Sequence, residues 1–252
     1  QPKRLGDLKG EYISLEMWHE TNSQDDGTIT RKTNFPRSPQ QWVLSGPHFF
    51  VGNPFYKTPR SGCRLNSDYD VLDLTDLPED YLPRTNYIPA CDIGEYLRRM
   101  PTVPWIDEGE IAAKSVTEHY QLVNRRMVGS SSERTCSAAV IPKGVGSLGT
   151  CFTTVYKNES QMLENLGAYL SLPFDFFVKS TGKSDMRGDL INQLPFVQFG
   201  HSSLIKSRVL ALNCLTRSFS ELWEASWNES YRYDDWVSSH KSLTTFSFQH
   251  LT

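Results

Sequence analysis

Three segments rich in β-favouring residues follow one another between residues 118 and 157, and they constrain the fold more than any other feature. They are EHYQLVNRRMV (118–128), TCSAAVIP (135–142) and TCFTTVYK (150–157), and the connectors between them, GSSSERT and KGVGSLG, are short. Parallel neighbouring strands need a crossover of a dozen or more residues, usually a helix. Because these connectors are too short for that, the segments are predicted to form one curved, mostly antiparallel sheet.

Helical patterns follow this region. The segment 159–172 places apolar residues on one stripe, 173–182 has proline in its first turn and ends in glycine, and 205–227 carries the longest helical periodicity. These helices are expected to pack beside the sheet. Strands and helices that mix without regular alternation predict the α+β class, with flanking helices and a long C-terminal helix.

The first hundred residues favour strands and loops. A short helix is predicted within 92–101, with Asp92 at its start and Pro101 at its end. The predicted strands, each bounded by Gly, Pro or Asp clusters, are 11–20, 41–52, 68–74 and 85–92. We divide the chain into a strand- and loop-rich part (1–110), a core of strands and a helix pair (111–200) and a C-terminal helical segment (201–252).

Composition narrows the functional classes. The 252 residues carry a formal net charge of −3, which excludes a uniformly basic nucleic-acid-binding protein but allows one basic face on a weakly acidic body. No apolar run approaches the roughly 20 residues of a membrane-spanning helix. Five scattered cysteines predict free thiols in a reducing cytoplasm. The chain starts at Gln1 and stops just after an aromatic-rich stretch, which indicates a segment of a longer protein.

The tetrapeptide Asn53-Pro54-Phe55-Tyr56 raises the question of catalysis. Amino-group DNA methyltransferases carry Asn-Pro-Pro-Tyr or Asn-Pro-Pro-Phe, whose Asn side chain and first Pro carbonyl accept hydrogen bonds from the target amine of a flipped base. Those enzymes also need a glycine-rich cofactor turn between a strand and a helix. Only isolated glycines precede Asn53, and Phe55 replaces the second proline. We therefore interpret the tetrapeptide as a turn that closes a strand, and we predict no catalytic residue in this chain.

The later half resembles a different part of such enzymes. The block YQLVNRRMVGSSSERTCSAAVIPKGVG (120–146) is similar to the target-recognition regions of large adenine-modifying restriction–modification enzymes, in which an Arg-containing strand end, a polar Glu-Arg-Thr loop and a strand running into Ile-Pro follow one another. The block LENLGAYLSLPFDFFVKSTGKSDMRGDLINQLPF (163–196) resembles the helix pair of the same family. Weaker similarity extends over residues 11 to 225.

The resemblance implies the C-terminal target-recognition domain, of the TaqI-like specificity class, of a type II restriction–modification adenine DNA methyltransferase. It implies duplex DNA as the partner and a methyltransferase domain N-terminal to this chain in the same protein. S-adenosylmethionine is then the cofactor of the parent protein, with no cofactor in this chain, and the location is the cytoplasm without a membrane partner. The family's catalytic residues lie in the preceding domain, so none is carried over; whether the parent protein also cleaves DNA stays open.

A DNA-recognition domain needs basic and polar groups that bind phosphates, and a few side chains that read base edges. Acidic residues gather in 68–80, 92–95, 107–110 and 221–235, whereas several cationic residues lie in or beside predicted loops. The predicted DNA-binding residues are Lys57, Arg60, Arg125, Arg126, Arg134, Lys143, Lys179, Lys183 and Arg187. The stretch 178–195 is the preferred candidate, because Gly182 and Gly188 allow close backbone approach to a phosphate. Its hydroxyl donors are Ser180, Thr181 and Ser184.

Two alternatives stay open. The chain could itself be a compact methyltransferase that uses Asn53-Pro54-Phe55-Tyr56, or it could be an interaction module without a nucleic-acid partner, as its net negative charge suggests. The six histidines do not cluster in sequence. The adjacent pairs Asp25-Asp26 and Asp234-Asp235 do not by themselves predict the metal site of a nuclease, so no metal ligands are predicted.

Overall fold

The structure, a computed structural model, describes residues 3–49, 56–129, 131–198 and 200–236. Its strands are β1 (Tyr12–Leu15), β2 (Ile29–Asn34), β3 (Val43–Leu44), β4 (Lys57–Pro59), β5 (Tyr69–Val71), β6 (Thr85–Pro89), β7 (Gln121–Arg125), β8 (Ala138–Ile141), β9 (Gly146–Ser147) and β10 (Cys151–Tyr156). Its helices are α1 (Glu20–Asp25), α2 (Ile93–Arg98), α3 (Glu159–Tyr169), α4 (Leu172–Ser180), α5 (Gly188–Ile191), α6 (Ser202–Asn213) and α7 (Ser220–Ser226). This mixture confirms the predicted α+β class.

A four-stranded sheet in the order β1-β10-β7-β8 lies at the centre, and each neighbouring pair in it is antiparallel. The predicted antiparallel arrangement of the strands within 118–157 is therefore confirmed. All residues of β8 and β10 are buried, as are all residues of β7 except Arg125. Strands buried on both faces must be covered on both sides, and α3 supplies part of that cover by packing on β8 and β10.

The helix α3 follows the sequence signals closely. Asn158 caps it by accepting a hydrogen bond from the N–H of Gln161 at 3.1 Å. The predicted apolar stripe is buried except for Leu170, which is partly buried. Gly167 allows α3 to lie close to α6, because a Cβ atom at this position would come within 2.4 Å of Ile205 Cγ2. The close contact of α3 with α6 joins the C-terminal helices to the sheet layer.

The long C-terminal helix is interrupted. Apolar periodicity predicted one helix over 205–227, but α6 ends at Asn213 and α7 begins at Ser220. Two contacts hold the connector in another conformation: the N–H of Arg217 donates to the carbonyl of Glu79 at 2.7 Å, and Trp223 Nε1 donates to the carbonyl of Cys214 at 3.0 Å. These hydrogen bonds satisfy backbone groups that a continuous helix would pair internally, so the break costs little.

Three smaller pairs of strands, each with at least one strand from the N-terminal part, lie in the described ranges. β2 pairs with β6 and β4 with β5, both antiparallel, while β3 pairs with β9 in parallel. A second cluster of buried side chains lies here, including Trp18, Tyr96 and Trp105. Asp92 caps α2 by accepting the N–H of Glu95 at 3.0 Å, as predicted.

The predicted N-terminal strands are mostly present in shortened form. The segments 68–74 and 85–92 contain β5 and β6, whereas in the described part of 41–52, residues 41–49, the strand is limited to the two residues of β3. β1 joins the central sheet across the proposed boundary at residue 110, and the division of the chain at 110 and 200 stays a prediction.

All five cysteines are free thiols, and four of them are buried. In the part of the chain that the structure describes, every helix is too short or too polar to cross a membrane.

Candidate nucleic-acid interface

Two of the predicted basic segments meet at one end of the central sheet. The chain beyond β7 runs beside the loop that follows α4, although distant positions in the sequence supply the two. The backbone contacts between them are a bridge between Met127 and Asp185, a hydrogen bond from the N–H of Met186 to the carbonyl of Arg126 (2.7 Å), and one from the N–H of Val128 to the carbonyl of Ser184 (3.0 Å). Asn124 adds a side-chain hydrogen bond to the carbonyl of Met186 at 3.2 Å. The loop is thereby fixed to the end of a buried strand.

Five of the nine predicted DNA-binding residues lie on or directly beside these two segments, and we call this set the basic end: Arg125 at the end of β7, Arg126, Lys179 in the last turn of α4, Lys183 and Arg187. Arg125 and Lys179 are exposed, and neither forms an ion pair with a residue in the described ranges. Lys183 pairs with Asp189 at 3.0 Å, and its hydrogen bond lowers the pKa of that carboxyl. Three of the five cations of the basic end are paired with two described carboxylates, Asp185 and Asp189, whereas the whole chain has a negative net charge.

Asp185 lies between two arginines of the basic end. Its carboxylate is 3.7 Å from Nε of Arg126 and 3.6 Å from Nε of Arg187. These distances are too long for hydrogen bonds. The Arg126 side chain is 23% exposed, and its Nε has no hydrogen-bond partner among the described residues. Asp185 thus lies near both guanidinium groups and attracts them electrostatically, but it accepts a hydrogen bond from neither Nε.

The hydroxyl groups of the loop are mostly engaged within the protein. Ser180 Oγ donates to the carbonyl of Phe177, and Thr181 Oγ1 donates to the carbonyl of Val178, both at 2.7 Å. A hydroxyl has one proton to donate, so both protons are used within the protein in this structure, and the expected phosphate contacts of these hydroxyls stay a prediction. Gly182 has a φ of 65° directly after the C-cap of α4, and this left-handed conformation is a common way to end a helix.

Arg134 supports the basic end from within. Its side chain is 17% exposed; its guanidinium donates to the carbonyl of Leu170 at 2.9 Å and lies 3.3 Å from the carboxylate of Asp175. The same carboxylate accepts the N–H groups of Thr135 and Cys136 at 2.9 and 2.7 Å. This network ties α4 to the segment before β8. It leaves little of Arg134 to contact DNA.

Lys143 lies at the other end of the sheet. It follows β8 on the side of the Gln121–Ile141 pair, whereas Arg125 ends β7 at the opposite side. Its Nζ pairs with Glu221 at 2.6 Å, and this contact lowers the pKa of Glu221. Lys143 lines an open cleft of about 700 Å³ together with Lys157 and Lys206. The structure therefore separates Lys143 from the basic end.

Lys57 and Arg60 belong to the β4 region, whose partner strand is β5. Arg60 pairs with Asp70 at 2.7 Å, and both side chains are exposed. Of the tetrapeptide before Lys57, Asn53, Pro54 and Phe55 lie outside the described residues. Tyr56 extends the β4–β5 ladder by accepting the N–H of Leu72 at 2.9 Å. The interpretation of the tetrapeptide as a turn stays a prediction.

Sequence reasoning missed two acidic residues of this site and the exposure of two apolar residues on α4. Asp175 and Asp185 position arginines, but nothing in their sequence neighbourhood distinguishes them from other surface acids. Leu172 and Phe176 on α4 are each 72% exposed, which a predicted apolar helix did not suggest. The spacing of Phe174 and Val178, which define the buried face, was the available signal.

The described residues hold no group of three or more His, Cys, Asp or Glu side chains that could bind a metal ion. No protein-family model matches the sequence, and no curated protein sequence is significantly similar to it. The interpretation of the site therefore rests on its geometry and on the resemblance of its sequence blocks.

Proposed function

We propose that this chain is a DNA-recognition domain that binds duplex DNA through the basic end. The observation that supports the proposal is the backbone pairing of the Arg126–Val128 segment with Ser184–Met186, because predicted DNA-binding cations lie on or next to both paired segments of an acidic protein. Exposed Arg and Lys side chains on a fixed scaffold bind phosphates and set the register of a duplex. Arg125 and Lys179 are the best placed for this, because neither is neutralised by a described carboxylate.

The resemblance extends this proposal to the parent protein. The domain then serves an adenine DNA methyltransferase of the restriction–modification type, whose catalytic domain precedes it and binds S-adenosylmethionine. The sheet topology supports a non-catalytic role: the cofactor domain of such enzymes is a parallel, doubly wound sheet, whereas the central sheet here is antiparallel. Within the described residues, parallel pairing between named strands is confined to β3 and β9.

Duplex binding as a function of salt tests the proposal. Fluorescence anisotropy of a labelled duplex, measured from 25 to 200 mM KCl, should show log affinity falling with log salt at a slope of roughly −3 to −4, as expected for about four phosphate contacts. The double variant Arg125→Ala/Lys179→Ala should bind more weakly with a flatter slope. The matched control Lys9→Ala/Lys32→Ala removes two exposed lysines elsewhere and should change neither. Affinity that does not depend on salt would contradict the proposal.

Calorimetric titration with S-adenosylmethionine separates this proposal from a compact methyltransferase. We expect no binding heat from this chain, because the cofactor belongs to the preceding domain. Saturable binding, together with methyl transfer that is lost in a folded Asn53→Ala variant, would favour the methyltransferase.

A further inference from the structure

The helix α4 has one buried face and one exposed apolar face. Phe174, Asp175 and Val178 are buried, whereas Leu172 and Phe176 are 72% exposed and Phe177 is 41% exposed. Leu172 and Phe176 are four positions apart, so they lie next to each other on the outer side of the helix. Contiguous large apolar side chains in solvent mark an interaction surface more often than single exposed ones do.

The outer face is held on a rigid support. Ser171 caps α4 by accepting the N–H of Phe174, whose ring stacks on Tyr169 with centroids 5.1 Å apart. Asp175 anchors the same turn through the N–H groups of Thr135 and Cys136. The side chain of Phe176 is thus presented from a fixed backbone, so a partner that contacts it does not have to order the helix first.

The partner is indicated by the charges that border this face. Lys179 lies three positions after Phe176 and therefore on the adjoining turn, and the helix continues directly into the loop that carries Lys183 and Arg187. A ligand that covers both features must offer anions beside flat apolar surfaces. Duplex DNA does so, with phosphates outside and base faces exposed at an opened step.

We propose that Phe176, supported by Leu172, is an apolar wedge that contacts a base step of the bound duplex while Lys179, Lys183 and Arg187 bind the neighbouring phosphates. The inference rests on the proposed function and adds how the domain deforms its target. Inserting a wedge requires partial unstacking of the step. DNA in which stacking is already interrupted is therefore the better ligand.

The test compares an intact duplex with the same duplex carrying one central abasic site. The unaltered chain should bind the abasic duplex about tenfold more tightly, because the missing base removes stacking that a wedge would otherwise have to disrupt. Phe176→Ala should bind the two duplexes about equally well. It should leave the salt slope unchanged, because no phosphate contact is lost. Phe176→Leu should retain most of it. Ile111→Ala, which removes an apolar side chain that is 99% exposed elsewhere, is the matched control and should have no effect.

The outcomes distinguish the two proposals. Absence of duplex binding by the unaltered chain overturns both. Salt-dependent binding without a preference for the abasic duplex, or with a preference that Phe176→Ala retains, overturns the wedge and leaves the proposed function standing. A dimer of the unaltered chain that becomes a monomer in Phe176→Ala, seen by light scattering, would assign the face to a second copy of this chain and also overturn the wedge.

Discussion

The backbone N–H of Met186 donates to the carbonyl oxygen of Arg126 at 2.7 Å, and this bond joins the end of a core strand to the loop after α4. Each partner follows a segment with its own basic residues. This hydrogen bond holds the two segments side by side at the end of the sheet. The proposed DNA contacts therefore depend on the fold and not only on the composition of two loops.

Removing the cations of the last turn of α4 and of the loop after it should weaken DNA binding without unfolding the protein. In Lys179→Ala/Lys183→Ala/Arg187→Ala, affinity should fall for every sequence alike, and the salt slope should flatten by about two to three units. The free energy of unfolding should change by about 0.5 kcal/mol or less per site, since these side chains are exposed. The triple variant Lys9→Ala/Lys32→Ala/Arg37→Ala has the same change in charge and serves as control. Unchanged affinity in the folded loop variant would move the DNA surface toward Arg125 and Arg126.

The central sheet was predictable because its signals are local. The apolar segments of β7, β8 and β10 and the caps of α2 and α3 are all properties of a few consecutive residues. The strand β2 was missed because only Ile29 in it is buried, so it shows no alternation of apolar side chains; its stability comes from backbone pairing with the distant β6. The break between α6 and α7 was missed for the same reason, because it depends on a residue distant in the sequence: the carbonyl of Glu79 accepts the N–H of Arg217.

The candidate site was predictable in composition but not in assembly. The sequence predicted cations in or beside loops. In the structure, Arg125 and Lys183 lie at one end of the sheet and Lys143 lies at the other. Arg134 belongs to a network inside the protein because a buried carboxylate, Asp175, lies beside it. Such partners come from the tertiary fold, which sequence spacing alone does not determine.

Asp175 should be a major determinant of stability. Its carboxylate accepts two backbone N–H groups and lies beside Arg134, and its side chain is 12% exposed. Asp175→Ala would leave those groups without a partner in the interior, so the free energy of unfolding should fall by about 3 kcal/mol. Asp189→Ala removes an exposed carboxylate paired with Lys183 and should cost about 0.5 kcal/mol or less. Urea denaturation measures both; a loss below about 1 kcal/mol in Asp175→Ala would show that this network contributes little.

The thiols should differ sharply in reactivity. Burial raises the pKa of Cys136 to about 12, and burial also raises the pKa of Cys151 and Cys214. At neutral pH the thiolate fraction of Cys136 is then roughly a thousandfold smaller than that of an ordinary thiol. Cys91 is the partly exposed cysteine, and we expect iodoacetamide to label it first, as measured by peptide mass spectrometry. In Cys91→Ser no thiol should react quickly until denaturant is added. Rapid labelling of Cys136 in the folded protein would contradict its burial.

Stability should fall as the pH is lowered from 6.5 to 5, and His48 should account for a measurable part of the fall. His48 is fully buried, and burial lowers its pKa from the ordinary value, while the carbonyls of Arg84 and Ser45 oppose the shift only in part. In the unfolded chain the imidazole takes up a proton near pH 6.5, whereas the folded protein takes it up only at lower pH. As the pH falls, proton uptake by His48 therefore stabilises the unfolded state before it stabilises the folded state. For this group the free energy of unfolding decreases by at most about 1.4 kcal/mol per pH unit.

The His48→Gln variant isolates this contribution. It keeps a donor for the carbonyl of Arg84 but does not titrate, so its stability should be lower at pH 7 and should decrease less between pH 6.5 and 5. The pKa of His119 is also lowered, chiefly by burial, and it adds a decrease of the same sign in both proteins. His201→Gln changes an exposed histidine and should follow the unaltered chain. Urea denaturation at each pH gives the comparison. An equal loss of stability in His48→Gln and in the unaltered chain over this range would contradict the prediction. It would mean that His48 takes up a proton equally readily in the folded and the unfolded protein.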